Sequence, residues 1–321
     1  MQKNNILYVV VPCYNEEEVL EQTTKVLTKK MKEMIEKKII SEKSKIMYVN
    51  DGSKDKTWQL IEEYNKKNPF ICGLKLSRNR GHQNALLAGL MTAKKYADMV
   101  VSMDADLQDD IDVLDDFVDA YNDGNEIVYG VRSSRKKDTF FKRNTAQLYY
   151  KIMKKMGVDI VYNHADYRLM SKRALEELEN YQEVNLFLRG IVPLIGFKTT
   201  TVEYERKERF AGVSKYPLKK MLNFAMEGIL SFSVTPLRMI TITGLLIAFI
   251  SFLFLIYVVI GHFLNGNVAG WTTIVTLVSF FGGFQIFCIG IIGEYLGKIY
   301  METKKRPRYI IEQELTQHEK N

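Results

Sequence analysis

No aspartate, glutamate, lysine or arginine occurs between Met239 and Gly293. A helix of about 20 apolar residues spans the roughly 30 Å hydrocarbon core of a bilayer, so a charge-free run of this length predicts membrane-spanning helices. The turn-like stretch Asn265-Gly266-Asn267-Val268-Ala269-Gly270 divides the run. Two spans are therefore expected, Met239 to about Leu264 and Trp271 to about Leu296, with Glu294 at the end of the second, within reach of the headgroups. Lys219, Lys220 and Arg238 precede the pair, and Lys298, Lys304, Lys305, Arg306 and Arg308 follow it. Basic flanks stay on the cytoplasmic side. The expectation is a multi-pass protein of the plasma (inner) membrane with both termini and the preceding domain in the cytoplasm. Pro217 to Val234 mixes apolar residues with Lys219, Lys220 and Glu227, as an amphipathic helix lying in the interface would.

The rest of the chain is charged. A net charge of +7 suits an anionic membrane surface and phosphate ligands. Nucleic acid is not expected as a partner, because neither zinc-finger spacing nor an RNA-binding aromatic motif occurs. The cysteines, Cys13, Cys72 and Cys288, are scattered and lack metal-ligand spacing, which argues for a reducing compartment and against a disulfide framework. Met1 to Asn5 is polar and shows no signal peptide.

Short apolar runs at Ile6–Val11, Ile46–Val49, Ile71–Leu76, Met99–Met103 and Glu126–Val131 read as strands, and amphipathic stretches between them read as helices. Asn15 is expected to cap the first helix, with Glu18 as its capping-box partner. The alternation predicts an α/β fold, a mostly parallel sheet with helices on both faces. Each strand is followed by a polar cluster, so the clusters gather at one edge of the sheet, where open α/β sheets bind ligands. The fourth strand ends at Asp104-Ala105-Asp106-Leu107-Gln108-Asp109. Two carboxylates two residues apart can lean towards one hard cation, which prefers oxygen ligands and often completes its shell with phosphates. No Gly-x-Gly-x-x-Gly and no Gly-x-x-x-x-Gly-Lys-[Ser/Thr] is present, which counts against a dinucleotide dehydrogenase and a P-loop NTPase. Arg132 closes the fifth strand and opens a basic cluster with Arg135, Lys136, Lys137, Lys142 and Arg143. Arginine matches phosphate oxygens well.

Four ordered motifs then converge: Val11-Pro12-Cys13-Tyr14-Asn15-Glu16, Asn50-Asp51-Gly52-Ser53-Lys54-Asp55, Asn79-x-Gly81-His82-Gln83, and Asp104-Ala105-Asp106-Leu107-Gln108-Asp109. Together they resemble the signatures of family 2 glycosyltransferases with the GT-A fold, most closely the polyprenyl-phosphate glycosyltransferases, the group containing dolichyl-phosphate mannose synthase and bactoprenol glucosyltransferases. Asp110 departs from the pattern, standing where many members carry proline. Arg209-x-x-Gly212-x-Ser214-Lys215-Tyr216 resembles the same group's juxtamembrane block, and Asn163-His164-Ala165-Asp166-Tyr167-Arg168-Leu169 its acceptor-side segment.

The resemblance implies roles for these residues. Pro12, Tyr14, Glu16 and Asp51 would line the base and ribose, with His82, Asp104 and Ala105 near the rest of the nucleotide sugar. Asp104, Asp106 and Gln108 would meet Mg²⁺ or Mn²⁺ and the donor diphosphate. Asp166 would serve as a base or a sugar ligand, and Arg132, Arg135, Arg209, Ser214 and Lys215 would hold an acceptor phosphate. The implied activity is inverting transfer of one sugar from a nucleotide diphosphate, UDP-glucose or similar, to a polyprenyl (undecaprenyl) phosphate, for cell-envelope glycan modification. The chain divides accordingly into a cytosolic catalytic domain (1–215), a juxtamembrane helix (216–236), the hairpin (237–298) and a basic tail (299–321), helical or loose. Glycines in the spans, Gly282-Gly283 and Gly290-x-x-Gly293, leave room for homo-oligomers. A processive polysaccharide synthase would want a Gln-x-x-Arg-Trp block and more membrane helices; the nearest stretch, Asn185 to Gly190, has no tryptophan. A membrane-anchored scaffold with a decayed nucleotide-sugar site would have lost its acids, yet Asp51, Asp104 and Asp106 are present.

Overall fold

The computed structural model describes residues 4–133, 164–184, 186–205, 233, 235–265 and 270–315. The strands are β1 (Leu7–Cys13), β2 (Lys45–Asn50), β3 (Ile71–Leu76), β4 (Met99–Ser102), β5 (Ile127–Arg132), β6 (His164–Ser171), β7 (Thr199–Tyr204) and β8 (Ile311–Leu315). They form one sheet in the order β7-β5-β6-β4-β1-β2-β3-β8. The strands β1 to β4 pair in parallel, as do β5 and β7. Only β6 and β8 run the other way. The five strands expected from the sequence are all present, within two residues at their ends.

Every residue of β1 is buried, and successive side chains feed opposite faces. Leu7, Val9 and Val11 pack with α1 (Glu17–Glu36), α2 (Thr57–Lys67) and α4 (Leu114–Asn122) through Leu20, Leu27, Met31, Ile61 and Phe117. Tyr8 and Val10 pack on the other face with α3 (His82–Ala93), α5 (Lys172–Glu179) and α6 (Leu188–Leu194) through Leu86, Leu90, Leu175 and Ile191. Two cores on one central sheet are the layered solution expected of an α/β chain.

Strand direction fixes what reaches the ligand edge. The carboxyl ends of β1 to β5 and of β7 lie on one rim. Because β6 and β8 are antiparallel to their neighbours, their amino ends lie on that same rim: Arg168 opposite Ser102, His164 opposite Val131, and Ile311 opposite Leu76.

Two long helices, α7 (Thr235–Asn265) and α8 (Trp271–Thr303), follow. Both are long and apolar enough to cross a membrane, and large side chains such as Leu245, Phe249, Phe280 and Phe287 are exposed on them. Of the expected amphipathic segment Pro217 to Val234 only Ser233 is among the described residues. The tail departs from expectation. It is neither loose nor helical at 311–315 but returns to the sheet as β8, satisfying the exposed edge of β3.

Candidate active site

The expected capping box at α1 does not form. Asn15 takes a left-handed φ of 54° and lies outside the helix, whose first residue is Glu17; the N-cap residue Glu16 makes no side-chain cap, and Asp55 Oδ2 accepts from the Glu17 N–H instead (3.2 Å). Asn15 instead clamps the loop after β2. Its backbone N–H donates to Ser53 Oγ (3.0 Å), and its side-chain oxygen accepts from the Lys54 N–H (2.9 Å). Asn and Asp tolerate this backbone region because their short side chains hydrogen-bond locally. Tyr14 is thereby left on the rim, 40% exposed. Pro12 is buried within the sheet opposite Val49, and Glu16 is half-buried.

Asp51 is buried beyond β2. Its two carboxylate oxygens accept from the backbone N–H groups of Arg80 (2.7 Å) and Gly81 (2.9 Å). Burial raises its pKa, against the lowering effect of those two bonds. Asp51 therefore folds the loop between β3 and α3 over the rim. Gly52 makes that possible: at φ +64° any Cβ would stand 2.5 Å from the Asn79 nitrogen.

The loop after β4 is pinned from outside and from within. Ala105 is buried, and its carbonyl accepts from Thr23 Oγ1 of α1 (2.7 Å). Asp106 Oδ1 accepts from the Gln108 N–H (3.2 Å) across Leu107, which is held at φ 54°. Asp109 is buried and accepts from the Tyr204 hydroxyl at the end of β7 (2.6 Å). Burial, and then the neighbouring Asp104 charge, push the Asp109 carboxyl up to about 6. Arg132 lies close enough to Asp109 to lower it in turn.

Asp104 and His82 face each other at the mouth. The Asp104 side chain is 43% exposed, and its Oδ1 lies 3.6 Å from His82 Nε2. Partial desolvation of the carboxyl raises its pKa; His82 opposes the shift, and Asp166 and Asp106 add to it. His82 Nε2 is also 3.9 Å from Asp166 Oδ2. Residues from α3, the loop after β4 and β6 thus meet at the rim, although far apart in sequence.

Asp166 is the most firmly held of these acids. Arg189 donates to both of its oxygens (Nε to Oδ1 at 3.1 Å, Nη2 to Oδ2 at 2.9 Å), and Arg168 Nη2 adds a third bond to Oδ1 (3.1 Å). Burial alone would raise its pKa, but the two guanidiniums outweigh that and hold the carboxyl well below the usual range. Arg168 is itself buried, and burial lowers its pKa against the Asp166 charge. Arg168 and Arg189 were not singled out in the sequence as site residues. The available signal was a lone arginine in the apolar run Phe187–Leu194, held near α3 by the Leu188 N–H bond to Gln83 Oε1 (2.9 Å).

Asp104 and Asp106 offer hard oxygen donors close enough for their charges to interact. Among the described residues no group of three or more His, Cys, Asp or Glu side chains is placed to hold a metal ion by itself. The donor set fits a hard divalent cation that takes one or two carboxylates from protein and the remaining oxygens from phosphate and water. Arg132 stands at the rim as expected, while Arg135, Arg209, Ser214 and Lys215 lie outside the described residues.

An acid-lined rim at the switch point of a mostly parallel sheet, between β4 and β1, defines a ligand-binding α/β enzyme. The Glycosyl transferase family 2 domain matches residues 8–179. An uncharacterized glycosyltransferase of Bacillus subtilis (strain 168) is 55% identical over 314 residues, 98% of this chain and 93% of that protein. A bactoprenol glucosyl transferase of Shigella phage SfV is 41% identical over 308 residues, 95% and 98% of the two chains. The chain belongs to glycosyl transferase family 2 and is a glycosyltransferase. Among solved structures, mannosyl-3-phosphoglycerate synthase from Rubrobacter xylanophilus aligns with a TM-score of 0.47 and 14% identity, over 70% of this chain and 71% of that one.

Proposed function

We propose that the protein transfers one sugar from a nucleotide diphosphate, with UDP-glucose the first donor to test, to a polyprenyl monophosphate held in the cytoplasmic leaflet. One observation carries this reading: the chain leaves the sheet for the apolar helices from the end of β7, and returns from them at the start of β8, on the same rim that gathers Asp104, Asp106, Asp166 and His82. That rim therefore turns towards the lipid. The likeness to bactoprenol glucosyl transferases, which runs through the helices, supports a polyprenyl acceptor.

The lipid phosphate is largely ionised at neutral pH, its second pKa being about 6. It needs no strong base, and Asp166, held as a carboxylate by two arginines, is a poor proton acceptor. Its role in this scheme is to fix His82 and a sugar hydroxyl. Arg132, with Arg135, Arg209, Ser214 and Lys215, holds the attacking phosphate. An oxygen of that phosphate forms the bond to the anomeric carbon from one side while the bond to the nucleotide diphosphate breaks on the other, which inverts the centre. Positioning and charge stabilisation supply the acceleration. Tyr14, Glu16 and the loop held by Asp51 frame the nucleotide, with Pro12 behind them. Asp104, Asp106 and Gln108 would hold Mg²⁺ or Mn²⁺, which when bound offsets charge on the leaving diphosphate as a Lewis acid.

The test is reconstitution. Protein in lipid vesicles with undecaprenyl phosphate, Mg²⁺ and a panel of labelled nucleotide sugars should yield one glycolipid, with UDP-glucose the expected donor. Nucleotide-sugar binding with no lipid-linked product from any donor would overturn the reading.

A further inference from the structure

The segment after α8 is built into the rim rather than trailing from it. Helix α8 stops where Lys304 N donates to Tyr300 O and Lys305 N to Glu302 O, with Lys305 turned to a left-handed φ of 46°. Glu302 Oε2 accepts from the Val184 backbone N–H at 2.9 Å. Arg308 Nη2 donates to the Tyr181 carbonyl at 2.7 Å. Tyr309 packs on the core beneath α3, α5 and α6. The Ile310 carbonyl then accepts from Ser77 N (3.0 Å), and β8 pairs with β3 from Leu76 inwards to Gly73. Tyr96 and Lys75 bind Glu314 and Glu312.

These contacts fall on the two approaches to the active site. Ser77 begins the loop whose Arg80 and Gly81 N–H groups hold Asp51. Tyr181 to Val184 lead into Leu188, bonded to Gln83, and Arg189, which grips Asp166. Only residues 304–310 separate α8 from β8, about 25 Å when fully extended, and the bonds at 302, 308 and 310 remove most of that slack.

We propose that residues 302–315 form a positioning strap that sets the height and tilt of the catalytic rim above the bilayer, with Glu302 and Arg308 as its positioning residues. The proposal rests on the lipid-acceptor reading given above. A donor from the cytosol reaches the site whatever the tilt. A phosphate confined to the headgroup plane reaches it only if the rim stands at the right height, and a misplacement of an ångström can lower a rate a hundredfold. Simple protection of the β3 edge would make no such distinction between acceptors.

The test inserts a Gly-Ser segment of about six residues between Lys305 and Arg306 of the full chain, adding roughly 13 Å of flexible reach while leaving β8 in place. Transfer is measured to undecaprenyl phosphate in vesicles and to a water-soluble short-chain isoprenyl phosphate. The strap predicts at least a tenfold fall in kcat/KM for the vesicle acceptor and less than twofold for the soluble one, with the donor KM unchanged. Glu302→Gln with Arg308→Ala should move the same ratio less far. Equal rates on both acceptors, or equal losses on both, overturn the strap. Wild-type protein that glycosylates neither acceptor defeats the lipid-acceptor reading instead. The strap is then decided by energy transfer from a dye on Lys54→Cys, in a Cys288→Ser background, to labelled headgroups. The insertion should lower transfer efficiency, and an unchanged value overturns the strap.

Discussion

The two halves of the sheet build one rim by different means. In the half formed by β1 to β4, an acid is held by main chain: Asp51 accepts two backbone N–H groups and folds a loop. In the half formed by β5, β6 and β7, the acid is held by side-chain cations: Arg168 and Arg189 enclose Asp166. The first arrangement orders a loop at little cost in net charge. The second buries Arg168 and partly covers Arg189 to keep one carboxylate ionised and fixed, and it fails badly if one partner is lost. Asp104 stands between the halves and feels both, facing His82 from the first and Asp166 from the second. In the proposed scheme the main-chain half frames the nucleotide and the arginine half takes the sugar and acceptor.

The sharpest way to break that division is at its boundary. Asp104→Asn and Asp106→Asn should each lower turnover by roughly 10³-fold, the scale of losing a group aimed at developing charge, with the unfolding midpoint unchanged. Removal of divalent ions with EDTA should match this loss and be reversed by Mg²⁺ or Mn²⁺. Wild-type turnover in both variants would remove the metal from the scheme. Next in size is the arginine half. Arg189→Ala leaves Asp166 with only Arg168, so stability should fall by about 3 kcal/mol in denaturant titration and kcat by roughly 10²-fold, with donor KM unchanged. A rise in donor KM alone would place Asp166 on the wrong side of the comparison.

In the main-chain half, Gly52→Ala forces a Cβ against Asn79 at a positive φ. A cost of about 1–3 kcal/mol is expected, together with a several-fold weaker donor affinity by calorimetry and an unchanged acceptor KM. The smallest effect sharpens the acceptor side. Arg132→Gln should raise the acceptor KM about tenfold, one charge-assisted phosphate contact, while nucleotide binding stays the same.

Much of the first half was legible in the chain. Its strands run parallel, its helices follow at once, and its acids close the strands, so local pattern and spatial position coincide. Asp51, Asp104 and His82 could be placed on the rim because each lies just past a strand end. Asn15 was misread for the same reason: a polar residue before a helix looks like a cap, and only the neighbouring loop shows that it serves Ser53 and Lys54 instead. Asp166 could be named from its segment, but its hold by two arginines, 2 and 23 residues away, could not, because one of them comes from a separate helix.

By itself the sequence determined the two long apolar helices, the α/β alternation and the acid motifs, because hydrophobic periodicity and strand-end chemistry are local and survive in one dimension. The tertiary structure alone decided that β6 inserts against the direction of its neighbours and delivers Asp166 to the rim, that Tyr204 reaches back to Asp109, and that the chain's last described strand closes the β3 edge. Those choices depend on pairing between remote segments. The entropy of closing such loops grows only slowly with their length, so nothing in the intervening residues announces which partner the strand will take.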